Sequence, residues 1–210
     1  MDTSISKVGD YMDAILLIGK NCDKLIIDYT KYYVIAVDSG VDYAIKNNIK
    51  IDLAIGDFDS AKADLKDSNF KKIVLNPIKD DTDTAAAFNY TKDFDNVIIV
   101  GGIQGKRIEH FLANIMLIKN HKNIIMIDNS SKIFYVPNEM KISKNSYKFI
   151  SFFALENVEN LCLDGFKYNL NNYNLNTLDP LCISNEITKD QAIISYDRGV
   201  LIAIMSNDDN

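Results

Sequence analysis

The sequence is poor in the residues that build metal centres and disulfide frameworks. It contains three cysteines, Cys22, Cys162 and Cys182, whose spacing forms no pair, and two histidines, His110 and His121. A cysteine zinc site is therefore excluded, and a histidine metal centre has too few ligands. The scattered cysteines indicate reduced thiols, and we expect a cytoplasmic protein.

Long apolar runs and an excess of positive charge are also lacking. No stretch approaches the about 18 consecutive apolar residues of a membrane-spanning helix, and the first residues lack a signal-peptide pattern. We expect residues 1–11 to be a disordered extension. The 23 basic and 29 acidic side chains give a net charge of −6, whereas non-specific nucleic-acid binding needs a basic face. Neither a membrane nor a nucleic acid is an expected partner.

The first two thirds of the 210 residues alternate between short apolar runs and helical patterns. The runs are rich in Ile and Val and continuous rather than alternating, which favours strands of a parallel sheet that is covered on both faces. They span 14–19, 33–40, 52–60, 72–76, 96–102 and 123–130. The predicted helices span 21–31, 40–48, 60–69, 82–93 and 107–120. This alternation predicts an α/β domain over 12–138 with a doubly wound, mostly parallel sheet.

The pattern changes after Pro137. Short apolar runs at 147–155, 161–166, 193–196 and 200–205 are separated by Asn-rich and Gly-containing stretches, which predicts a smaller antiparallel all-β domain over 139–210. We interpret the Asn-rich stretch 168–177 as an ordered loop or an edge strand, because Leu and Tyr recur within it.

Carboxylates gather just after three predicted strands, at the edge where α/β sheets usually bind ligands. They are Asp38, then Asp57 and Asp59 in GDFDS, then Asp80, Asp81 and Asp83 in KDDTDT. Several have an ordinary structural alternative, because an Asp, Ser or Thr at such a place often forms a turn or caps the next helix. If Asp38, Asp57, Asp59, Asp80 and Asp83 converge, they form an oxygen-only site suited to Mg²⁺ and a substrate polyphosphate.

A glycine-rich stretch, GGIQGKRIEH (101–110), follows the strand at 96–100 and opens the helix at 107–120. Gly101, Gly102 and Gly105 permit a close approach of main-chain N–H groups to an anion, and Lys106 and Arg107 add positive charge. The pattern matches neither a Walker A loop nor G-x-G-x-x-G. Beside the carboxylates it predicts a polyphosphate site. Glu109 and His110 also have ordinary interpretations, as support for the helix dipole and as a half-buried helix residue.

Taken together, VDSG, GDFDS, DDTDT and GGIQGKRIEH resemble the motifs of the thiamine pyrophosphokinase family, in the family's order and approximate spacing. SNEI at 184–187 and GVLIAIMS near the C-terminus extend the resemblance to about residues 13–206. Two positions depart from the family pattern, because Ser39 replaces a common Gly and Glu109 replaces the usual Asp.

The resemblance implies an N-terminal α/β domain that binds ATP and a C-terminal β-sandwich domain that binds thiamine. It implies a homodimer that transfers the β,γ-pyrophosphoryl group of ATP to the thiamine hydroxyl, with Mg²⁺ required. By motif, metal and substrate would be handled by Asp57, Asp59, Asp80 and Asp83, with Asp38 nearby. Arg107 would face phosphate, alongside Gly102, Gly105 and Lys106, and Ser184 and Asn185 would lie near thiamine. We expect Asp83 or Glu109 to orient the hydroxyl.

Three other functions remain open at this point. A related pyrophosphokinase could act on a hydroxymethyl pterin and would share the ATP site. A nucleotide-binding module without turnover would rarely need four or five acidic ligands. A metal-dependent phosphatase would use a similar D-x-D sequence, but the glycine-rich stretch at 101–107 is not expected there.

Overall fold

The structure is a computed structural model of the 210-residue chain, and it describes residues 13–18, 26–58, 69–76, 82–104, 108–177 and 179–208. The chain divides into two compact units, residues 1–129 and 130–210. The boundary predicted from the sequence lies further along, at 138. None of the described helices is long and apolar enough to cross a bilayer.

In its described residues, the first unit has six parallel strands, which agrees with the predicted mostly parallel sheet. Its strands are β1 (Asp13–Ile18), β2 (Tyr33–Val37), β3 (Leu53–Gly56), β4 (Lys71–Val74), β5 (Asn96–Val100) and β6 (Ile124–Ile127). They lie in the order β4-β3-β2-β1-β5-β6, and every neighbouring pair is parallel. The order reverses at β1, because the chain adds β2 to β4 on one side and β5 and β6 on the other. Residues 14–18, 33–37 and 53–56 are buried throughout, which explains why these strands are continuous runs of apolar residues.

The described part of this unit contains three α-helices, α1 (Gly40–Lys46), α2 (Asp83–Phe88) and α3 (Ile108–Asn120). They confirm three of the predicted helices, but α2 is shorter than the predicted 82–93. It ends at Phe88, and turns follow, in which the buried Thr91 donates to the Phe88 carbonyl from its N–H at 3.0 Å and from its hydroxyl at 2.8 Å. Of the predicted helix 21–31, residues 26–31 contain a 3₁₀ turn at Tyr29–Lys31, so that part of the prediction is wrong. The predicted helix 60–69 lies almost entirely outside the described residues.

Helix α3 presents a different face to the core from the one its pattern predicts. The sequence pattern predicts one apolar stripe from Ile108 to Lys119. The residues that are buried are Asn114, Ile115 and Ile118, whereas Ile108, Leu112 and Met116 each expose at least half of their surface. A buried Asn on this helix has no counterpart in the apolar pattern, and its role becomes clear at the glycine-rich turn.

The second unit is entirely antiparallel. Its strands are β7 (Ser131–Val136), β8 (Glu139–Ser143), β9 (Phe149–Asp164), β10 (Leu170–Leu175), β11 (Gln191–Ser195) and β12 (Arg198–Ser206). The order is β7-β12-β9-β11-β8, and β10 pairs with β9. The predicted runs 147–155 and 161–166 are two ends of the single strand β9. Sequence reasoning missed β7 and β8 as separate strands.

The Asn-rich stretch 168–177 forms the edge strand β10, so the ordered interpretation is confirmed. Its pairing with β9 is irregular, with two shifts of register. Asparagine side chains supply some of the bonds at this irregular edge. The Asn174 Oδ1 accepts from the Asn160 N–H at 3.1 Å, and the Asn157 Oδ1 accepts from the Thr177 N–H at 3.0 Å. The high asparagine content therefore serves the irregular edge.

Candidate active site

The reversal of strand order at β1 creates the crevice in which α/β sheets usually bind ligands. The connections from the strands at this point run to opposite sides of β1. A crevice therefore remains between them at the carboxyl end of β1. Here β2 and β5 are the two neighbours of β1. Asp38 follows β2, and Gly101 and Gly102 follow β5. One side of the cleft is therefore acidic and the other is glycine-rich.

The acidic side begins with two aspartates on neighbouring strand ends. A Cβ on Gly56 would lie 3.1 Å from the main chain of Asp38, so the ends of β2 and β3 are in close contact just before Asp57. Asp38 has a positive φ of 48°, and its N–H donates to the Ile55 carbonyl at 2.9 Å. Both aspartates are half-buried. These facts bring Asp38 and Asp57 to one edge, as predicted.

Helix capping does not account for Asp38 or Asp83. The N-cap of α1 is Ser39, and its side chain makes no capping hydrogen bond. The N-cap of α2 is Thr82, whose hydroxyl accepts from the Ala85 N–H at 3.1 Å. Asp83 then stands in the first turn of α2, half-buried, on a helix that contacts β1, β2 and β3. Its carboxylate is therefore not needed for the cap.

The glycine-rich side is determined by close packing against the end of β1. Gly101 has φ 93°, and a Cβ on it would lie 2.2 Å from the Ile18 carbonyl oxygen. Gly102 has φ 72°, and a Cβ on it would lie 2.6 Å from the side-chain end of Ile18 and 2.8 Å from the Nδ2 of Asn114. The buried Asn114 of α3 donates its Nδ2 to the Gly102 carbonyl at 3.5 Å, so α3 holds the turn in place. Sequence reasoning missed Asn114. Asn114 lies outside the apolar stripe by which this helix was predicted, so that pattern did not indicate it.

Part of the predicted site lies outside the described residues: Asp59, Asp80, Gly105, Lys106 and Arg107. Within the described part of the chain, no three His, Cys, Asp or Glu side chains group closely enough to hold a metal ion. Glu109 and His110 begin α3 with side chains 62% and 45% exposed, and 4.0 Å separates the Glu109 Oε1 from the His110 Nε2. The magnesium site therefore stays a prediction.

A further carboxylate lies at the same edge and was not predicted. Asp128 directly follows β6 and is 4% exposed. The Gly101 N–H donates to the neighbouring Ile127 carbonyl at 2.9 Å, which joins the end of β6 to the glycine-rich turn. The signal was the same as for Asp38, an aspartate immediately after an apolar run.

In the second unit, Ser184 and Asn185 occupy different environments. Ser184 is exposed, has a positive φ of 56°, and its N–H donates to the Ser151 Oγ at 2.9 Å. Asn185 is 3% exposed, and its side chain bonds the main chain of Tyr168. The Tyr168 ring itself is 59% exposed. Sequence reasoning missed Tyr168 as a candidate, although it begins the Asn-rich stretch.

An ion pair flanks this exposed ring. The Lys167 ammonium donates to the Glu186 Oε1 at 2.6 Å and lies 5.7 Å from the centroid of the Tyr168 ring. The hydrogen bond lowers the pKa of the Glu186 carboxyl and raises the pKa of Lys167. A cation can therefore lie near this aromatic ring.

Comparison with known proteins gives one consistent answer. The family model for the thiamin pyrophosphokinase catalytic domain matches residues 27–135, and that for the thiamin pyrophosphokinase vitamin B1 binding domain matches residues 138–201. The thiamine pyrophosphokinase of Bacillus subtilis (strain 168) is 34% identical over 214 residues, which cover 94% of this chain and 100% of that protein.

Solved structures agree with these matches. The crystal structure of thiamine pyrophosphokinase from Bacillus subtilis has a TM-score of 0.80 at 32% identity and covers 93% of this chain and 99% of that one. A thiamin pyrophosphokinase family protein from Enterococcus faecalis has a TM-score of 0.82 at 26% identity, with 95% and 100% covered.

A parallel sheet whose strand order reverses beside an acidic edge and a glycine-rich turn is typical of enzymes that bind a nucleotide phosphate. The antiparallel unit that follows distinguishes the chain within this class. By both family models and by the relative from Bacillus subtilis, the chain belongs to the thiamine pyrophosphokinase family.

Proposed function

We propose that the chain is a thiamine diphosphokinase, which transfers the β,γ-pyrophosphoryl group of ATP to thiamine. The thiamine hydroxyl oxygen forms a bond to the β-phosphorus, and the bond from that phosphorus to the bridging α,β-oxygen breaks. The products are thiamine diphosphate and AMP, and the hydroxyl proton passes to a nearby acceptor. The observation that carries this function is the pair of opposed surfaces beside β1, acidic after β2 and β3 and glycine-rich after β5.

The acidic side is suited to a magnesium-loaded polyphosphate. We assign the ligands to Asp57, Asp59 and either Asp80 or Asp83, with Asp38 nearby. The carboxylate oxygens of Asp38 and Asp57, on adjacent strand ends, are the kind of donor that Mg²⁺ prefers. Mg²⁺ held by these carboxylates would neutralise the charge of the polyphosphate.

The glycine-rich side supplies the anion contacts. We assign main-chain N–H contacts with phosphate to Gly102 and Gly105, and we assign to Lys106 and Arg107 the positive charge that stabilises the transferred group and AMP. Positive charge here matters because the reaction is accelerated mainly by positioning and by charge stabilisation. Asn114 supports this side from α3 through its bond to Gly102.

One carboxylate orients the thiamine hydroxyl and accepts its proton late in the reaction. Asp83 and Glu109 are the two candidates. Asp83 is half-buried at the start of α2, whereas the Glu109 side chain is 62% exposed. The more sheltered Asp83 suits this role better, because proton acceptance is more effective where water does not compete.

Thiamine would be bound by the second unit, where Ser184 and the Tyr168 ring are both exposed and the Tyr168 N–H is bonded to the side chain of Asn185, the residue after Ser184. The thiazolium cation of thiamine has a natural partner in an aromatic face. We further propose that residues 139–210 form a sandwich-like thiamine domain, that residues 12–138 form a doubly wound ATP domain, and that the enzyme is a homodimer. Cys162 and Cys182 are free thiols, which supports a cytoplasmic location.

The direct test is AMP release, followed chromatographically, from ATP and Mg²⁺ with thiamine as the acceptor. We expect thiamine-dependent AMP and equal amounts of thiamine diphosphate. Release with a hydroxymethyl pterin in place of thiamine would support a related pyrophosphokinase, and absence of AMP with either acceptor would indicate a binding protein without turnover.

Asp57→Asn tests the acidic side. We expect kcat to fall by about two orders of magnitude or more, which corresponds to at least about 2.7 kcal/mol of lost transition-state stabilisation. The matched control is Asp95→Asn, because Asp95 is exposed and precedes β5, at the opposite edge of the same sheet. Near-normal turnover of Asp57→Asn at saturating Mg²⁺ would contradict the assignment.

A further inference from the structure

Asn185 joins three separate segments of the second unit. Its main chain pairs with β9, because its N–H donates to the Ile150 carbonyl at 3.0 Å and its carbonyl accepts from the Ile150 N–H at 2.9 Å. Both main-chain polar groups are thereby occupied. Any bond from this residue to a further segment has to come from its side chain.

The side chain of Asn185 makes that further bond as a peptide group would. Its Oδ1 accepts from the Tyr168 N–H at 3.0 Å, and its Nδ2 donates to the Tyr168 carbonyl at 2.8 Å. The same Oδ1 accepts from the Glu186 N–H at 2.9 Å. Only a carboxamide offers an acceptor and a donor in the arrangement of a main-chain amide. The carboxamide therefore holds Tyr168 as a neighbouring strand would.

This contact continues a short ladder between the two segments. Phe166 and Ile187 form an isolated antiparallel bridge, and the Lys167 N–H donates to the Glu186 carbonyl at 2.9 Å. The ladder would end there, because the main chain of Asn185 turns away to β9. The Asn185 side chain extends it by one residue, up to Tyr168.

The consequence is an exposed ring on a fixed main chain. The Tyr168 side chain is 59% exposed, whereas Asn185 is 3% exposed and cannot reach a molecule in the solvent. A ligand that approaches Ser184 and Tyr168 would meet these two residues, and would not meet the carboxamide behind them.

We propose that Asn185 is a positioning residue, which sets the affinity for thiamine by fixing Tyr168 and makes no contact with thiamine itself. The proposal rests on the proposed function, since it needs thiamine to face the Tyr168 ring. It replaces the substrate contact expected for Asn185 from its motif with an indirect role.

Kinetics with three variants test the indirect role. We expect Asn185→Ala and Tyr168→Ala each to raise the KM for thiamine by about tenfold, the effect of about 1.4 kcal/mol. The KM for ATP and kcat should stay within about twofold of wild type. The KM for thiamine of the double variant should be no higher than that of the more impaired single variant, because both changes remove the same contact. Multiplied effects in the double variant would overturn the proposal.

Asn185→Asp is the second variant in case the alanine variant does not fold. It preserves shape and the Oδ1 acceptor, but it places a negative charge against the Tyr168 carbonyl in place of a donor. We expect the same rise in the KM for thiamine. The control is Asn138→Ala, which also removes side-chain bonds to main-chain carbonyls, those of Tyr196 and Asp197, in another turn of this unit. An unchanged KM in both Asn185 variants would overturn the proposal.

Hydrogen exchange at the Tyr168 amide gives a readout that needs no activity. We expect this N–H to exchange at least about tenfold faster in Asn185→Ala, because its acceptor is gone. Unchanged exchange would overturn the positioning role. Faster exchange in a chain whose wild type releases no AMP with thiamine would instead overturn the proposed function and leave the contact itself established.

Discussion

Gly101→Ala is the substitution whose cost follows most directly from the structure. A methyl group at this position would lie 2.2 Å from the Ile18 carbonyl oxygen. Contacts of a Cβ atom shorter than 3.0 Å essentially never occur in proteins. The obstacle is main chain at the end of a central strand, so it cannot rotate away. The φ of 93° is also one that alanine rarely adopts.

Backbone strain and steric overlap together determine how much stability Gly101→Ala removes. A positive φ costs a non-glycine residue about 1–2 kcal/mol, and overpacking of a tight contact costs about 1–3 kcal/mol. Together they predict a loss of about 2–5 kcal/mol in the free energy of unfolding of the first unit. For a chain of this size each kcal/mol lowers Tm by about 2–4 °C. We therefore expect Tm to fall by between about 4 and 20 °C.

Thermal unfolding followed by circular dichroism measures this loss, and hydrogen exchange of β1 amides assigns it to the first unit. Gly40→Ala separates the two terms, because its Cβ would lie 2.0 Å from the Leu17 carbonyl oxygen at a helical φ. Gly56→Ala is the mild control, since its nearest contact is 3.1 Å and its φ is not in the left-handed region. A Gly101→Ala variant that melts within about 2 °C of wild type would refute the reasoning.

Three further predictions concern the second unit. Tyr196→Phe should lower the free energy of unfolding by about 1–3 kcal/mol, because the hydroxyl donates 2.6 Å to a buried carbonyl; chemical denaturation checks this. Burial, reinforced by a nearby carboxylate, raises the pKa of the Cys182 thiol to about 11, so iodoacetamide at pH 8 should modify the more exposed Cys162 first, as read by peptide mass mapping. The bond from Lys167 lowers the pKa of Glu186 below its ordinary 4.5, so the pair stabilises the fold above about pH 4.5 and loses this effect as the pH falls further. The Tm difference between wild type and Glu186→Gln should therefore shrink from pH 6 to pH 3, and a constant difference would contradict the pairing.

The inner strands of the parallel sheet could be predicted from the sequence because they are short apolar runs rich in Ile, Leu and Val, whereas the edge strand β4 (Lys71–Val74) is mostly exposed. Burial on both faces leaves such runs no polar positions, and the pattern is then unambiguous. The end of α2 could not be predicted, because the turns that follow it, in which Thr91 bonds to the Phe88 carbonyl, leave no mark on the apolar pattern. The face of α3 was also beyond periodicity, since the helix buries Asn114 to hold Gly102 and exposes Leu112.

The candidate site was partly predictable for a similar reason. Aspartates that follow apolar runs fall on one edge of a parallel sheet, and Asp38 and Asp57 do lie at that edge, while their binding of metal or substrate stays a prediction. The same rule applied to Asp128 would have found it. Asn185 was different, because its motif indicates a residue near the ligand but not which way its side chain points. Its partner Tyr168 lies 17 positions earlier, and no periodic pattern connects the two.

Strand β9 connects two groups of strands in the second unit. Its first part pairs with β12, and its last part pairs with β10 and β11. One continuous strand therefore pairs with both groups of strands, and neither group can separate from β9 without disturbing the pairing of the other. Loss of strand pairing at one end of β9 should weaken the pairing at its other end. We therefore expect the antiparallel unit to unfold in a single cooperative transition.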